Sequence, residues 1–531
     1  MRKALLLLSP LLVAAAPVPA PDRAPDRGGD WWQTVVTLSA DDMEGRAAGS
    51  EGHRRASDLV ARRFAAAGLR PAGDNGTWFQ TVTLEERTIL REGTSAALAA
   101  DGAAAPLAIP GDIFFRVAGG PPPEAIDAPL VFIGYGMHLP DAGHDDFAGV
   151  DLRGAVAVVI AGGPAALSGP LKSHARAERN RQLAARGAVG VIQLASRAPA
   201  EQPWAAQSRV ADIPGMYPAS ASARMVGPPF LNAYLNPASA ERLFAGSGHS
   251  YAELAAAAEA SRPLAGFALR PRLTARIAST ARSVVTRNVV AKLPGRDRAL
   301  AAEHVVLTAH LDGFGIGRPL EGDAIYNGAL DNAAGVAALI DIAGEYRRTR
   351  ARPRRSILFV ALTGEEKGLL GSRWFAHAPT VPRASIVADL NYDMALPLYP
   401  LTSITVLGAE ESSIGADARA VSRAMGLPMV PDPFPDRNSF IRSDQYSFIE
   451  TGIPAVAFKF GFAAGTPEAE TERAWRANVY HSPRDDASQT VFRADEIRLH
   501  DFIGALALRI ANADARPRWN ADSFFRRFER R

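Results

Sequence analysis

From Val289 onward the chain alternates short apolar runs with amphipathic stretches, and this alternation leaves few folds open. Runs at residues 304–309, 356–363, 385–390, 404–407 and 455–460 are four to eight residues long and rich in aliphatic side chains, as buried strands are. Between and after them, residues 331–348, 369–377 and 494–511 carry helical periodicity, the last with Ile497, Phe502, Ile503, Leu506 and Ile510 on one face. Strand and helix alternating at this spacing predict an α/β fold, a mixed, mostly parallel sheet sandwiched by helices. Such sheets place their sites just beyond the carboxyl ends of the strands.

At 531 residues the chain exceeds one ordinary core. Residues 1–20 have a basic start at Arg2 and Lys3, an apolar run over 4–16 and small residues after it. That is the pattern of a signal peptide, too short for a spanning helix, and it predicts export to the periplasm or medium with no membrane attachment after signal removal. Residues 21–30 read as a linker. A helix is expected over 51–67, stopped by Gly68, followed by strands and turns, so 31–118 is assigned to the main domain. The composition changes at Gly119, Gly120 and Pro121, and residues 119–282 read as an inserted β-rich domain with strands near 129–133 and 155–160 and a helix over 177–185. Residues 283–515 complete the main domain, and the Arg-rich 516–531 reads as a solvated basic tail.

The chemistry is bounded by what the chain lacks. With no cysteine there are no disulfides, thiolate ligands or cysteine nucleophiles, so any metal must be held by His, Asp and Glu. A formal net charge of +3 is small for this length and predicts no nucleic-acid groove. Against that background five segments stand out. His310 ends a strand and Asp312 follows two residues on, on the same side, where a carboxylate could fix the imidazole; an ordinary hydrogen-bonded His is the commoner outcome for such a pair. Asp331 opens a helix and could equally be an N-cap. Glu365 and Glu366 follow a buried strand, and because adjacent side chains diverge, one could bind metal while the other acts as general base; acidic residues also favour helix starts. Asp393 follows another strand, with Asp389 as a competing carboxylate, and His481 sits beside Tyr480 in a turn-rich loop. Each is weak alone. Together, two His and three carboxylates at successive strand ends suit a pair of zinc ions, with one carboxylate bridging ions ~3.5–4 Å apart.

These residues, in this order, resemble peptidase family M28, the di-zinc aminopeptidases. The resemblance is carried by DDMEGRAAGSEGHRRA, then HLD, LDNAAG, GEE, NYDM, RSDQYSF with GIPAVAF, and YHSPRDD. The stretch FIGYGMHLPDAGHDDFAGVDLRGAVAVV is similar to the protease-associated (PA) domain inserted in many members. The resemblance implies a zinc-exopeptidase-like fold, two Zn2+ per chain and peptide substrates. It implies Asp331 as the bridging ligand, His310 and Asp393 on one zinc, and Glu366 and His481 on the other. It also implies Glu365 as the general base, Asp312 as the partner of His310, and Tyr480 as an oxyanion stabiliser. Many members have His where this chain has Gln445. Other activities share the scaffold: carboxypeptidase and acyl-amino-acid hydrolase, either of which would need a carboxylate pocket with Arg437 and Arg442 as candidates, and glutaminyl cyclase, a poorer fit to the chain than an exported peptidase. A receptor-like protein that lost catalysis is disfavoured by the complete ligand set. The glycines of GFGIG lack the full nucleotide-binding fingerprint.

Overall fold

The computed structural model describes residues 26–117, 119–195, 203–437 and 439–529, so the expected signal segment and the first half of the linker lie outside the described residues. Four parallel strands form the centre of the main sheet, in the order Ser356–Leu362, His304–His310, Ile386–Asn391 and Ala455–Phe460. Antiparallel strands extend both edges: Ile404–Leu407 on one side, and Ser279–Leu293, Phe79–Ile89 and Gly215–Pro218 on the other. The central strands are buried on both faces, which is why they read as near-continuous apolar runs. Period two still sorts their side chains. Val305, Leu307 and Ala309 pack with the helices Arg27–Leu38, Ala334–Arg348 and Arg493–Asn512, whereas Val306 joins Phe375 and Phe448 on the opposite face. Among the described residues no helix is long and apolar enough to cross a membrane.

A second sheet is built within residues 95–276. Its order is Ala103–Pro106, Ser95–Ala100, Phe267–Arg276, Ala125–Phe132, Val156–Ile160, Gly190–Leu194, Leu231–Leu235 and Ile113–Phe115. The strands Phe79–Ile89 and Ser279–Leu293 pair antiparallel in the main sheet, so the excursion runs from about Leu90 to Ala278. This moves the expected boundary at residue 119. Of the three short strands before it, Ser95–Ala100 pairs with residues 272–276 and Ile113–Phe115 with residues 233–235, while Ala103–Pro106 folds back on Ser95–Ala100, and pairing at the longer separations leaves no local trace in sequence. The excursion also sends one strand, Gly215–Pro218, back to the main sheet.

Both chain-end expectations change as well. Helix Arg27–Leu38 begins inside the expected linker, capped by Asp26 and tied by Arg27 to Asp341 at 2.6 Å. The C-terminal segment is docked: Trp519 and Phe525 are buried, and Phe525 packs edge-on to Phe440. Arg516, Arg518, Arg526 and Arg527 do face solvent, but the aromatic residues between them anchor the segment to the core.

Candidate metal centre

The site gathers at the carboxyl ends of the central strands. His310 is the last residue of its strand and is buried. Its Nδ1 lies 3.1 Å from the backbone carbonyl of Asp312, whose carboxylate stands 4.0 Å away. The carbonyl, and not the expected carboxylate, therefore orients the imidazole. The Asp312 carboxylate instead accepts the amides of Glu365 at 3.0 Å and Glu366 at 3.3 Å, fixing the turn that presents both glutamates.

Asp331 lies in an irregular turn just before helix Ala334–Arg348. It does not cap that helix. Its neighbour Asn332 accepts the first-turn amide of Gly335 at 3.1 Å, leaving the Asp331 carboxylate to face the two histidines. His310 Nε2 is 3.1 Å from Asp331 and 3.5 Å from Asp393. His481 Nε2 is 3.3 Å from Asp331 and 3.4 Å from Glu366. The structure thus brings the five expected ligands together as two triads, His310–Asp331–Asp393 and Asp331–Glu366–His481, which share Asp331, with donor atoms in each within 4.8 Å of one another. The competing Asp389 is buried below, accepting the Thr308 hydroxyl at 2.9 Å.

The donor set fits metal ions. His310 Nε2 and Asp393 Oδ1 are buried and make no hydrogen bond, although each faces groups of opposite charge. Burial and the surrounding carboxylates drive Glu365 and Glu366 well above the usual carboxylate range. Burial opposes ionisation of Asp331 too, but the two histidines outweigh it and hold that carboxyl far below its ordinary value. Such a concentration of buried negative charge calls for cations, and N/O donors without sulfur suit zinc.

Tyr480 stacks on the His481 ring at 3.6 Å and Phe314 meets its edge at 4.4 Å. Burial raises the Tyr480 phenol well above its usual range, keeping its proton in place as a donor. Gln445, where the family often has His, is fully buried below the site, accepting from Asn391 at 2.7 Å and donating to the Phe440 carbonyl at 2.7 Å. Arg437 is engaged by Glu472 at 2.6 Å and lies over Phe434, and Arg442 reaches the Arg437 carbonyl at 3.4 Å.

Two residues that build the site carried no assigned role in the sequence reading, although both sit inside the motifs quoted for the resemblance. Asp485 accepts the amides of Leu330 and Asp331, both at 2.9 Å, and so sets the Asp331 turn. Arg46 is wholly buried and donates to the carbonyls of Leu38, Leu311, Asn327 and Gly328, binding the His310 and Asp331 segments to the N-terminal helix. Their partners are distant in sequence, so only the motif itself could have flagged them.

Comparison with known proteins agrees with this geometry. Residues 288–500, which contain all five candidate ligands, Glu365 and Tyr480, match the model of Peptidase family M28. The chain is similar to a solved aminopeptidase from Aneurinibacillus sp. strain AM-1, with a TM-score of 0.55 and 17% identity over 93% of this chain and 94% of that one, a likeness of fold. A "Probable zinc metalloprotease" of Pyrenophora teres f. teres is 36% identical over 124 residues, 20% of this chain and 26% of that protein. A "Probable glutamate carboxypeptidase VP8" of Zea mays is 25% identical over 204 residues, 37% of this chain and 28% of that protein. The chain thus matches only about a quarter of the length of these curated relatives, 26% and 28%. The candidate metal ligands therefore lie in the segment that matches peptidase family M28, within a fold like that of the solved aminopeptidase.

Proposed function

We propose that this chain is an exported metallopeptidase that holds two zinc ions and removes N-terminal residues from peptides. The observation that carries the reading is the pair of His–carboxylate triads sharing Asp331, with Glu365 beside them. His310, Asp331 and Asp393 would hold one ion, and Asp331, Glu366 and His481 the other. When bound, the ions would act as Lewis acids that polarise the scissile carbonyl and acidify water. Glu365, adjacent to the ligand Glu366 and held in the same turn by Asp312, takes the proton of the attacking water and returns it to the leaving amine. The Tyr480 hydroxyl donates to the oxygen that gains charge as the carbonyl is attacked. The solved aminopeptidase of the same fold supports the choice of terminus. Export rests on the sequence of residues 1–20, and N-terminal sequencing of the protein from the extracellular fractions tests it.

The second sheet would act as a filter on substrate size. Val210 and Ile213 of this excursion pack against Phe314 and Tyr326, and Phe314 abuts His481, so the inserted unit borders the metal centre. A second reading, carboxypeptidase, is favoured by the similarity to the maize protein. A kinetic panel of free, N-blocked and C-amidated peptides, with and without chelator, separates the readings. Cleavage of N-blocked but not C-amidated peptides would replace aminopeptidase by carboxypeptidase. Turnover unaffected by chelator would remove both.

A further inference from the structure

The candidate ligand Asp393 stands where a strand stops abruptly. Strand Ile386–Asn391 ends two residues before it, and Met394 just after it has a backbone φ of 52°. That is the left-handed region, which a residue bearing a side chain enters only at a cost. Such a turn persists only where its surroundings fix it. Lys459 holds it from one side, donating to the carbonyls of Asp393 and Met394. The other hold runs through Tyr392, the residue before the ligand, which no step of the proposed reaction uses.

Tyr392 is buried and bound at three points. Its amide donates to the Thr308 carbonyl at 2.8 Å, in the strand that leads to His310. Its carbonyl accepts the Asn332 side chain at 2.9 Å, and Asn332 follows the shared ligand Asp331. Its hydroxyl donates to Glu496 on helix Arg493–Asn512, a fully buried carboxylate that also lies 3.0 Å from His500 Nε2. The ring fills space left by Gly335, where a β-carbon would stand 2.7 Å from Tyr392 Cδ1. Any residue could make the two backbone contacts, but only a tyrosine makes the third. A buried carboxylate with one oxygen, Oε2, left without a hydrogen bond is also a costly way merely to fasten a helix.

A ring pinned at its backbone and at its hydroxyl resists turning and sliding. Asp393 is joined to it by a peptide bond and Asn332 by a hydrogen bond. We propose that Glu496, acting through Tyr392, is a positioning residue for the metal centre: it sets Asp393 against His310 and steadies the turn of Asp331. This rests on the two-metal reading. Asp393 belongs to one triad and Asp331 to both, so loss of the contact weakens the His310–Asp331–Asp393 site more than the site that includes Glu366 and His481.

The test measures Zn2+ affinity by competition against a chromophoric chelator, beside the melting temperature of the metal-free protein. Asp393→Ala and His481→Ala assign the two binding steps to the two sites. The variants are Tyr392→Phe and Glu496→Gln, with Phe525→Ala, which lies in a different hydrophobic cluster, as the control for lost stability alone. Tyr392→Phe removes one oxygen and should weaken zinc about tenfold at the first site, the lower end for a group that supports a ligand, with a smaller fall at the second. Glu496→Gln keeps an acceptor for the hydroxyl but loses its charge, so a fall of about threefold is expected. It carries the test alone should Tyr392→Phe fail to fold. A lowered melting temperature with both zinc affinities intact, or a fall shared equally with Phe525→Ala, would overturn the proposal. A wild type that takes up no zinc would remove the two-metal reading and this inference with it, whereas two bound ions that neither variant loosens refute the inference alone.

Discussion

Asp485→Asn tests how the Asp331 turn is held. The wild-type carboxylate takes the amides of Leu330 and Asp331, both at 2.9 Å, and the Gln489 side chain at 2.7 Å. An asparagine of the same shape offers one oxygen, and its NH2 must then face a donor. One backbone amide is left unpaired in a buried place, and the remaining bond loses its charge assistance. A charge-assisted hydrogen bond is worth about 1.5–3 kcal/mol and a buried orphan donor costs about 1–3 kcal/mol, so a loss of roughly 2–4 kcal/mol is expected. Because Asp331 belongs to both triads, displacement of its turn weakens both sites at once. Removal of a group that supports metal ligands costs about 10–100-fold in metal affinity, and the upper end is expected here. The assay is zinc competition against a chromophoric chelator, read beside the melting temperature of the metal-free protein. A folded variant with wild-type zinc affinity at both sites would refute the claim that Asp485 positions the bridging carboxylate.

Three further predictions address other parts of the molecule. Glu365→Gln should retain zinc by elemental analysis while kcat falls by about 10²–10⁴-fold; wild-type turnover would remove its role as base. Burial opposes charge on His500, yet Asp341 at 2.9 Å and Glu496 at 3.0 Å raise its pKa from 6.5 to about 9. Its folded value lies above its unfolded one, so its stabilisation is complete below pH 6.5 and is lost as pH rises through about 9. The total is of order 3 kcal/mol, visible as a slope in denaturant-derived stability between those pH values that His500→Gln should flatten. Phe525→Ala should destabilise by about 3 kcal/mol, measured by denaturant unfolding, because the ring is wholly buried; a negligible change would mean that the C-terminal segment is not part of the core.

The sequence by itself determined the layered α/β architecture and the candidate ligands. Strand and helix periodicities are local properties of the chain, and a ligand at a strand end is marked by the apolar run before it, as His310 is by residues 304–309. Tertiary structure decided what depends on distant partners. The excursion begins near Leu90 because the strands at 95–100 and 113–115 pair with residues more than a hundred positions away. Asp312 serves the Glu365–Glu366 turn because folding brings those amides beside it. Asn332 rather than Asp331 caps its helix, a choice between neighbours that only backbone geometry makes. Local patterns are written in side-chain order, whereas counter-charges and hydrogen-bond partners are set by chain closure over long separations.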